Sequence, residues 1–387
     1  MTVPPLPITA VAICSALGSS LADHRAALWR GEHGLRAPTR PLPFPTVVGE
    51  VSVLPPVPQT AMSPSRGQQI AQLLISQIAE HVAVLRRRVP ASRIGLVLGT
   101  STTGANQTEH AYHTFLSHGH APTKYDFRAH GTRSALLPFL CHALGVQGPA
   151  WVIATACTSS GKSLACAQRL ILSGAADAVF VGGIDTLCGM TLEGFHSLGA
   201  LSETPCRPFS AQRSGLNIGE GGALLLVEKT GDPVVLLEGV GESSDAHHIS
   251  APHPEGRGAR EAMQAALLQG GLSPDDIDYV NAHGTGTLLN DAAEAQAITA
   301  LLGSEVPVVS TKGYTGHLLG AAGGVEAVLT LLSITDAFLP ASLGCTPVDP
   351  ELRIDVRNTR RASPIRHAIS NSFAFGGSNV SILLGAP

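Results

Sequence analysis

Short apolar runs recur along the chain, each ending in small polar or glycine residues and followed by a segment of helical period. Residues 8–14 read as a buried strand, and residues 22–29 as a helix closed by Gly31 and Gly34. Residues 36–60 are proline-rich and irregular, apart from an alternation at 47–54 that predicts a short strand. Ser63-Pro64-Ser65 offers an N-cap for a helix over about 68–86, with Ile70, Leu73, Leu74, Ile78 and Val82 on its apolar face. Arg86-Arg87-Arg88 closes it as a solvated last turn that complements the helix dipole. Residues 94–98 predict a strand running into Gly99-Thr100-Ser101-Thr102-Thr103-Gly104, residues 134–145 a helix, and residues 150–154 a strand that changes character abruptly at Cys157. An alanine- and leucine-rich helical segment, 163–172, follows, then a strand over 178–184.

From residue 234 the same plan starts again. A strand at 234–240 is followed by a loop and a helix at 259–269, then a strand at 277–282 ending in His283-Gly284-Thr285-Gly286-Thr287. A helix over 291–302 leads to a strand at 306–310, which ends in Thr311-Lys312-Gly313-Tyr314-Thr315-Gly316-His317 before an alanine- and glycine-rich helix. The last strands are 368–373 and 380–384, around Ala374-Phe375-Gly376-Gly377-Ser378-Asn379. The repeat is one of pattern, and it predicts an α/β chain made of two duplicated halves, residues 1–228 and 229–387. Between them, the loop from Cys206 to Ala223 is polar and glycine-rich. Its glycines either cradle a ligand or permit tight turns, and both readings stay open.

Composition narrows the class. Of 387 residues, 44% are hydrophobic but only 4% aromatic, so the core is aliphatic and built for close helix packing. Only 14% are charged, which points to surface covered by a partner subunit, and the net charge of −4 excludes a strongly basic nucleic-acid binder. Seven cysteines without CxxC spacing predict reduced thiols in a cytoplasmic protein. The start of the chain lacks a basic n-region, and the sequence holds no uninterrupted apolar run long enough for a bilayer. His110, His113, His118 and His120 invite a metal, but no cysteine or carboxylate cluster joins them, so no metal site is expected.

Ligands of α/β sheets gather at the carboxyl ends of strands, and four distinctive stretches lie at such ends: Cys157, His283, Lys312 to His317, and Phe375-Gly376-Gly377. A thiol at a strand-to-helix turn sits where the helix end favours thiolate. One buried cysteine, or one histidine, is by itself an ordinary structural residue. Two histidines following apolar strands suit a different chemistry, in which a covalent thioester forms and neutral imidazoles hold a developing enolate on a second substrate.

Four blocks resemble the β-ketoacyl-acyl carrier protein synthases of the decarboxylating Cys-His-His class. They are Thr155-Ala156-Cys157-Thr158-Ser159-Ser160; Ala282 to Thr287 with Asn290, Asp291 and Glu294; Ser310-Thr311-Lys312-Gly313 through Gly316-His317 and Gly320-Ala321-Ala322-Gly323; and Asn371 to Asn379. The resemblance implies a thiolase-like five-layer αβαβα sandwich, with Cys157 in the first half and both histidines in the second. It implies that Cys157 takes the acyl group from the carrier's phosphopantetheine, and that the N–H groups of Cys157 and Phe375 form an oxyanion hole. His283 and His317 then bind malonyl-acyl carrier protein and assist its decarboxylation, and the enolate attacks the acyl thioester to give β-ketoacyl-acyl carrier protein and CO2. Lys312 organises the site with Glu294 as its ionic partner and structural support. Thr285 and Thr287 contact pantetheine, and Phe375 with Gly376 and Gly377 forms a substrate-contacting gate. No permanently bound cofactor is implied, and the assembly is a homodimer or a heterodimer with a synthase-like subunit.

The chain departs from the family pattern at Ser210, usually aspartate, and at Ala374, usually glycine, which stiffens the gate. It is also somewhat short. These features are closer to synthases of specialised polyene pathways, such as aryl polyenes, than to housekeeping fatty acid synthesis. Rival readings are a chain-length-factor-like subunit, which intact Cys157, His283 and His317 oppose, and a cysteine acyltransferase that never condenses. A biosynthetic thiolase would need a second cysteine near Gly376, and the chalcone-synthase type an asparagine in place of His317.

Overall fold

The first half alternates strands and helices as expected, in the order β1 (Leu6–Cys14), α1 (Leu21–Arg30), α2 (Arg66–Gln77), α3 (Ala79–Arg88), β2 (Ile94–Gly99), α4 (Ala105–His118), α5 (Leu137–Leu144), β3 (Ala150–Ile153), α6 (Ser159–Leu172), β4 (Ala178–Asp185), α7 (Gly189–Ser197) and β5 (Gly221–Glu228). The second runs β6 (Val235–Ser244), α8 (Arg257–Gly270), β7 (Tyr279–Asn281), α9 (Leu288–Leu302), β8 (Pro307–Val309), α10 (Lys312–Thr315), α11 (Ala322–Thr335), β9 (Phe338–Leu339), β10 (Asp355–Val356), β11 (Arg361–Ala362), β12 (His367–Ala374) and β13 (Ser378–Gly385). This computed structural model describes residues 2–55 and 65–387. Ser63 and Pro64 of the expected cap, and the end of the proline-rich stretch, lie outside the described residues.

The strand order is β3-β2-β4-β5-β1 in the first half and β8-β7-β12-β13-β6 in the second, with β10 beside β8. Each half therefore pairs its first strand antiparallel to its fifth and its fourth antiparallel to its fifth. In each, the second strand runs parallel to the third and the fourth. The pairs Leu6↔Leu237 to Ile8↔Val235 join the two sheets along one edge. Between the sheets lie α6 and α11: α6 packs on β2 and β4 on one side and on β6 and β13 on the other, and α11 on β12 and on β4 and β5. Helices α2 and α5 cover the outer face of the first sheet, α8 and α9 that of the second. The result is a five-layer αβαβα sandwich.

The middle layer explains the composition. Every residue of α11 from Ala322 to Ile334 is buried, so the helix has no polar face. It crosses α6 closely because both carry glycine at the crossing: a Cβ on Gly323 would lie 2.9 Å from the Gly161 amide nitrogen. Burying a leucine such as Leu329 here contributes about 1.5–3 kcal/mol.

Local chemistry sets the element ends. Ser20 caps α1 by accepting the Asp23 N–H, and Gly31 ends it in the left-handed region. Ser65 and Gln68 form a capping box at α2. Two expectations are corrected. The alternation at 47–54 forms isolated bridges, Arg36↔Val48 and Gly49↔Gly219, in place of a strand. The single helix over 68–86 is two, broken at Ile78, because the apolar stripe continues across the break through Ile70, Leu74, Ile78, Val82 and Leu85 and hides it. Arg86, Arg87 and Arg88 are exposed in the last turn of α3 as expected, and Arg88 also pairs with the buried Glu228 of β5. Among the described residues no helix is long and apolar enough to cross a membrane, and all seven cysteines are free thiols.

Candidate active site

Cys157 lies in a single 3-10 turn, Ala156–Thr158, between β3 and the first residue of α6. The turn is tight enough to force Ala156 to a φ of 53°, a strained conformation for a residue with a Cβ. Hydroxyl groups hold it. Thr158 Oγ1 donates to the Thr155 carbonyl at 2.7 Å, Ser159 Oγ to the Ala156 carbonyl at 2.6 Å, and the Thr155 N–H donates to Ser159 Oγ at 2.9 Å. The small polar run after the apolar strand thus makes the elbow that lifts the thiol onto the end of α6.

Two segments of the second half reach the same place. His283 follows β7. Its own N–H and that of Gly284 donate to the two carboxylate oxygens of Glu294 on α9, each at 2.7 Å. Asp291, one turn earlier on that helix, accepts the Phe209 N–H at 2.7 Å and the Gly286 N–H at 3.1 Å. His317 follows α10 and is held by its backbone. Its N–H donates to the Asn217 carbonyl at 2.7 Å, and its carbonyl accepts the Gly219 N–H at 3.0 Å. This settles the glycine-rich loop as a packing device at Gly219, where a Cβ would strike the Thr315 carbonyl. Gly215 of the same loop lines the cavity described below.

The side chains meet across the halves. His317 Nε2 is 2.9 Å from Cys157 Sγ, and the two imidazoles lie edge to face with centroids 5.2 Å apart. Lys312 Nζ is 3.2 Å from His283 Nδ1 and 2.5 Å from Glu326 Oε1. The ionic partner of Lys312 is therefore Glu326 of α11, and the expectation of Glu294 is corrected. Glu294 spends its oxygens on backbone N–H groups and on the Asn371 amide. Glu326 was within reach of sequence reasoning, since it is the one charged residue of α11.

Electrostatics follow from burial. Burial, then the nearby Lys312 charge, holds both His283 and His317 well below the usual imidazole range, so both rings are neutral. An ammonium donating to His283 Nδ1 leaves Nε2 as that ring's N–H. His317 Nδ1 is buried without a partner, so neither tautomer of that ring is locked. Burial pushes the Cys157 thiol up to about 12, against a lowering by Lys312. The proton acceptor in contact with the thiol is His317 Nε2. Burial also pushes Glu294 up to about 7 and Asp291 up to about 6, opposed by the N–H groups that each accepts.

Cys157, His283 and His317 open on one cavity of about 390 Å³, with Thr285, Thr287, Phe373 and Phe375 in its wall. Thr285 Oγ1 and Thr287 Oγ1 are 2.9 Å apart. Lys312 stands behind the wall, fully buried. Phe375 is 43% exposed and stacks on Phe195 of α7 with centroids 5.6 Å apart. Gly376 and Gly377 are not in the cavity wall. They turn the chain at φ 88° and 76°, and tie it to the loop after β6 through Gly376 N–H to the Ile249 carbonyl and Asp245 N–H to the Gly377 carbonyl, each at 2.7 Å. At the family departure, Ser210 Oγ donates to the Pro347 carbonyl at 3.0 Å, and Arg213 finds its counter-ion in Asp349 at 2.6 Å. Among the described residues no group of three or more His, Cys, Asp or Glu could hold a metal ion.

Comparison with known proteins agrees with this geometry. The family model of the β-ketoacyl synthase N-terminal domain matches residues 55–232, and that of the C-terminal domain matches residues 235–346. A 3-oxoacyl-[acyl-carrier-protein] synthase 2 of Staphylococcus aureus is 36% identical over 315 residues, covering 76% of this chain and 77% of the relative. A chain from the structure of a ketosynthase in complex with its chain length factor, from Xenorhabdus doucetiae, superposes with a TM-score of 0.92 at 37% identity, covering 99% of this chain and 98% of that one. A β-ketoacyl synthase from Burkholderia phymatum STM815 superposes with a TM-score of 0.89 at 28% identity over the full length of both. Two domain matches in order, spanning most of a chain whose thiol and imidazoles converge in one cavity, place this protein in the β-ketoacyl synthase family.

Proposed function

We propose that Cys157, His283 and His317 carry out a decarboxylative condensation, with the acyl group held on Cys157. The observation that carries this reading is the 2.9 Å contact between His317 Nε2 and Cys157 Sγ, beside a second imidazole whose Nε2–H is set by Lys312. In the first step His317 accepts the thiol proton as sulfur attacks the acyl thioester of a phosphopantetheine arm. It returns that proton to the departing pantetheine thiolate. The N–H groups of Cys157 and Phe375 stabilise the oxyanion. In the second step the neutral imidazoles donate to the thioester oxygen of malonyl-acyl carrier protein. CO2 leaves with its bonding pair left on the enolate, the enolate carbon attacks the acyl-Cys157 carbonyl, and the sulfur departs as thiolate and takes up a proton from solvent. The products are β-ketoacyl-acyl carrier protein, CO2 and free Cys157. Thr285 and Thr287 sit in the cavity wall where a pantetheine amide would pass, which supports their role as contacts.

The partners proposed are acyl carrier protein, which brings the phosphopantetheine, and a second thiolase-like subunit of the chain-length-factor kind. The relative from Xenorhabdus doucetiae, a ketosynthase with its chain length factor, supports the latter. So does the surface: β3 is the last strand of its sheet and exposes Trp151, while Tyr112, Phe127 and Met190 stand exposed around one hollow near α4. A polyene-type pathway is part of the proposal, on the strength of the departures from the family pattern at Ser210 and Ala374.

Intact-protein mass spectrometry tests the nucleophile. Incubation with acyl-acyl carrier protein adds one acyl mass to the wild type and none to Cys157→Ala, and an unmodified wild type sinks the assignment. Added malonyl-acyl carrier protein then removes the acyl mass if the chain condenses, and leaves it if the chain only transfers. The gate gives a smaller prediction. Phe195→Ala removes a stacked partner of Phe375 worth about 0.5–1.5 kcal/mol, or roughly two- to tenfold in opening. Acyl-Cys157 should hydrolyse faster by that factor in a time course of the acylated mass, and an unchanged rate would remove Phe195 from the gate.

A further inference from the structure

The chemistry above uses no residue of β4, yet the last residue of that strand, a carboxylic acid, is fully buried and bonded across both halves. Asp185 accepts Thr100 Oγ1 at 2.5 Å, Thr102 Oγ1 at 2.9 Å, and the N–H groups of Ser101 and Thr102 at 2.9 and 2.7 Å, all on Oδ1. Its Oδ2 accepts the Ala321 N–H at 3.1 Å and the Ser101 N–H at 3.0 Å. None of these partners is a cation. Three are backbone amides, and one of them, Ala321, belongs to the turn Leu319–Ala321 that joins His317 to α11. The turn is strained, with Leu319 at φ 50°, and it fits flush against the carboxylate: a Cβ on Gly320 would lie 2.6 Å from the Ser101 nitrogen and 2.8 Å from Asp185 Oδ2.

His317 needs such support. Its ring has no side-chain partner other than the thiol, since Nδ1 is buried and unbonded. Asn217 and Gly219 hold its backbone from one side. From the other, the first tether after the residue is the bond from Ala321 to Asp185.

We propose that Asp185 is a positioning residue for the condensation: it clamps the Leu319–Ala321 turn so that His317 Nε2 meets Cys157 Sγ. This rests on the reading of Cys157 and His317 given above. Burial raises the Asp185 carboxyl above the usual carboxylate range, opposed by the hydroxyl and N–H groups that it accepts.

Two substitutions test the clamp. Asp185→Asn sets an amide against the Ala321 N–H, and Gly320→Ala pushes the turn off the carboxylate. Both are read by the rate of Cys157 acylation from acyl-acyl carrier protein, with His317 present and in a His317→Ala background, on samples whose folded fraction is set by urea denaturation. Each should slow acylation by up to about 10²-fold with His317 present and add no further loss without it. If Asp185→Asn does not fold, Gly320→Ala alone decides the clamp. Wild-type acylation in folded Gly320→Ala, or the same loss with and without His317, overturns the positional role. A wild type that is neither acylated nor releases CO2 defeats the proposed function instead.

Discussion

His317→Ala will lose both halves of the reaction, and His283→Ala only the second. His317 is the side chain in contact with the thiol, at 2.9 Å, and burial holds that thiol protonated near neutral pH. Removing the proton acceptor costs acylation about 10²–10⁴-fold, the usual worth of general-base help. His283 faces the cavity with an Nε2–H set by Lys312 but makes no bond to sulfur. Its loss should leave acylation close to wild type and reduce CO2 release by about 10²–10³-fold, as for a missing oxyanion donor. Rapid-quench mass spectrometry reads the first step, and CO2 release from malonyl-acyl carrier protein the second. Wild-type acylation in His317→Ala would show that the thiol needs no base, and would return its activation to the end of α6. Equal loss of acylation in both variants would mean that the imidazoles act as one structural unit.

Sequence reasoning assigned both histidines mainly to the second substrate. The chain shows why it stopped there. Cys157 and His317 are 160 residues apart in different halves, and no local pattern states that two strand ends face each other at hydrogen-bond distance. What was legible was local. The apolar run into a small polar turn marked Cys157, and glycine and threonine after apolar strands marked His283. The duplication was legible too, because each half repeats the same succession of strand and helix, and the matching strand orders follow that succession. The break at Ile78 was not, since two helices share one apolar stripe. The motif that Glu294 shares with His283 points to it as the partner of Lys312. Its carboxylate is drawn instead to the unpaired N–H groups of the His283 turn, and Lys312 is left to Glu326.

That pair carries the second large prediction. Lys312 and Glu326 are each all but sealed from solvent, and Glu326 Oε2 has no hydrogen bond. Glu326→Ala strands a buried ammonium and should cost about 3–5 kcal/mol, whereas replacing both partners by apolar residues of similar volume is close to neutral. Urea denaturation should therefore show a large drop in midpoint for Glu326→Ala and recovery of most of it in Lys312→Met/Glu326→Leu. The double variant should fold yet remain slow in CO2 release, because the donor that fixes the His283 tautomer is gone. A Glu326→Ala midpoint equal to wild type would show that the pair contributes nothing to stability.

The burial of α11 on every side has a consequence for how the protein is made. Its outer surface has nowhere to go until both sheets exist, since one side needs β4 and β5 and the other β12. A ribosome releasing the first half alone would leave that half with an uncovered inner face, and the second half synthesised alone would carry a helix with no solvent-compatible side. The chain is therefore expected to acquire its structure late and in one cooperative event. The nucleophile and its proton acceptor belong to opposite halves, so nascent or truncated forms hold a thiol without its acceptor. Chemical competence then arrives only with completed folding, and premature acylation of unfinished chains is avoided by topology alone.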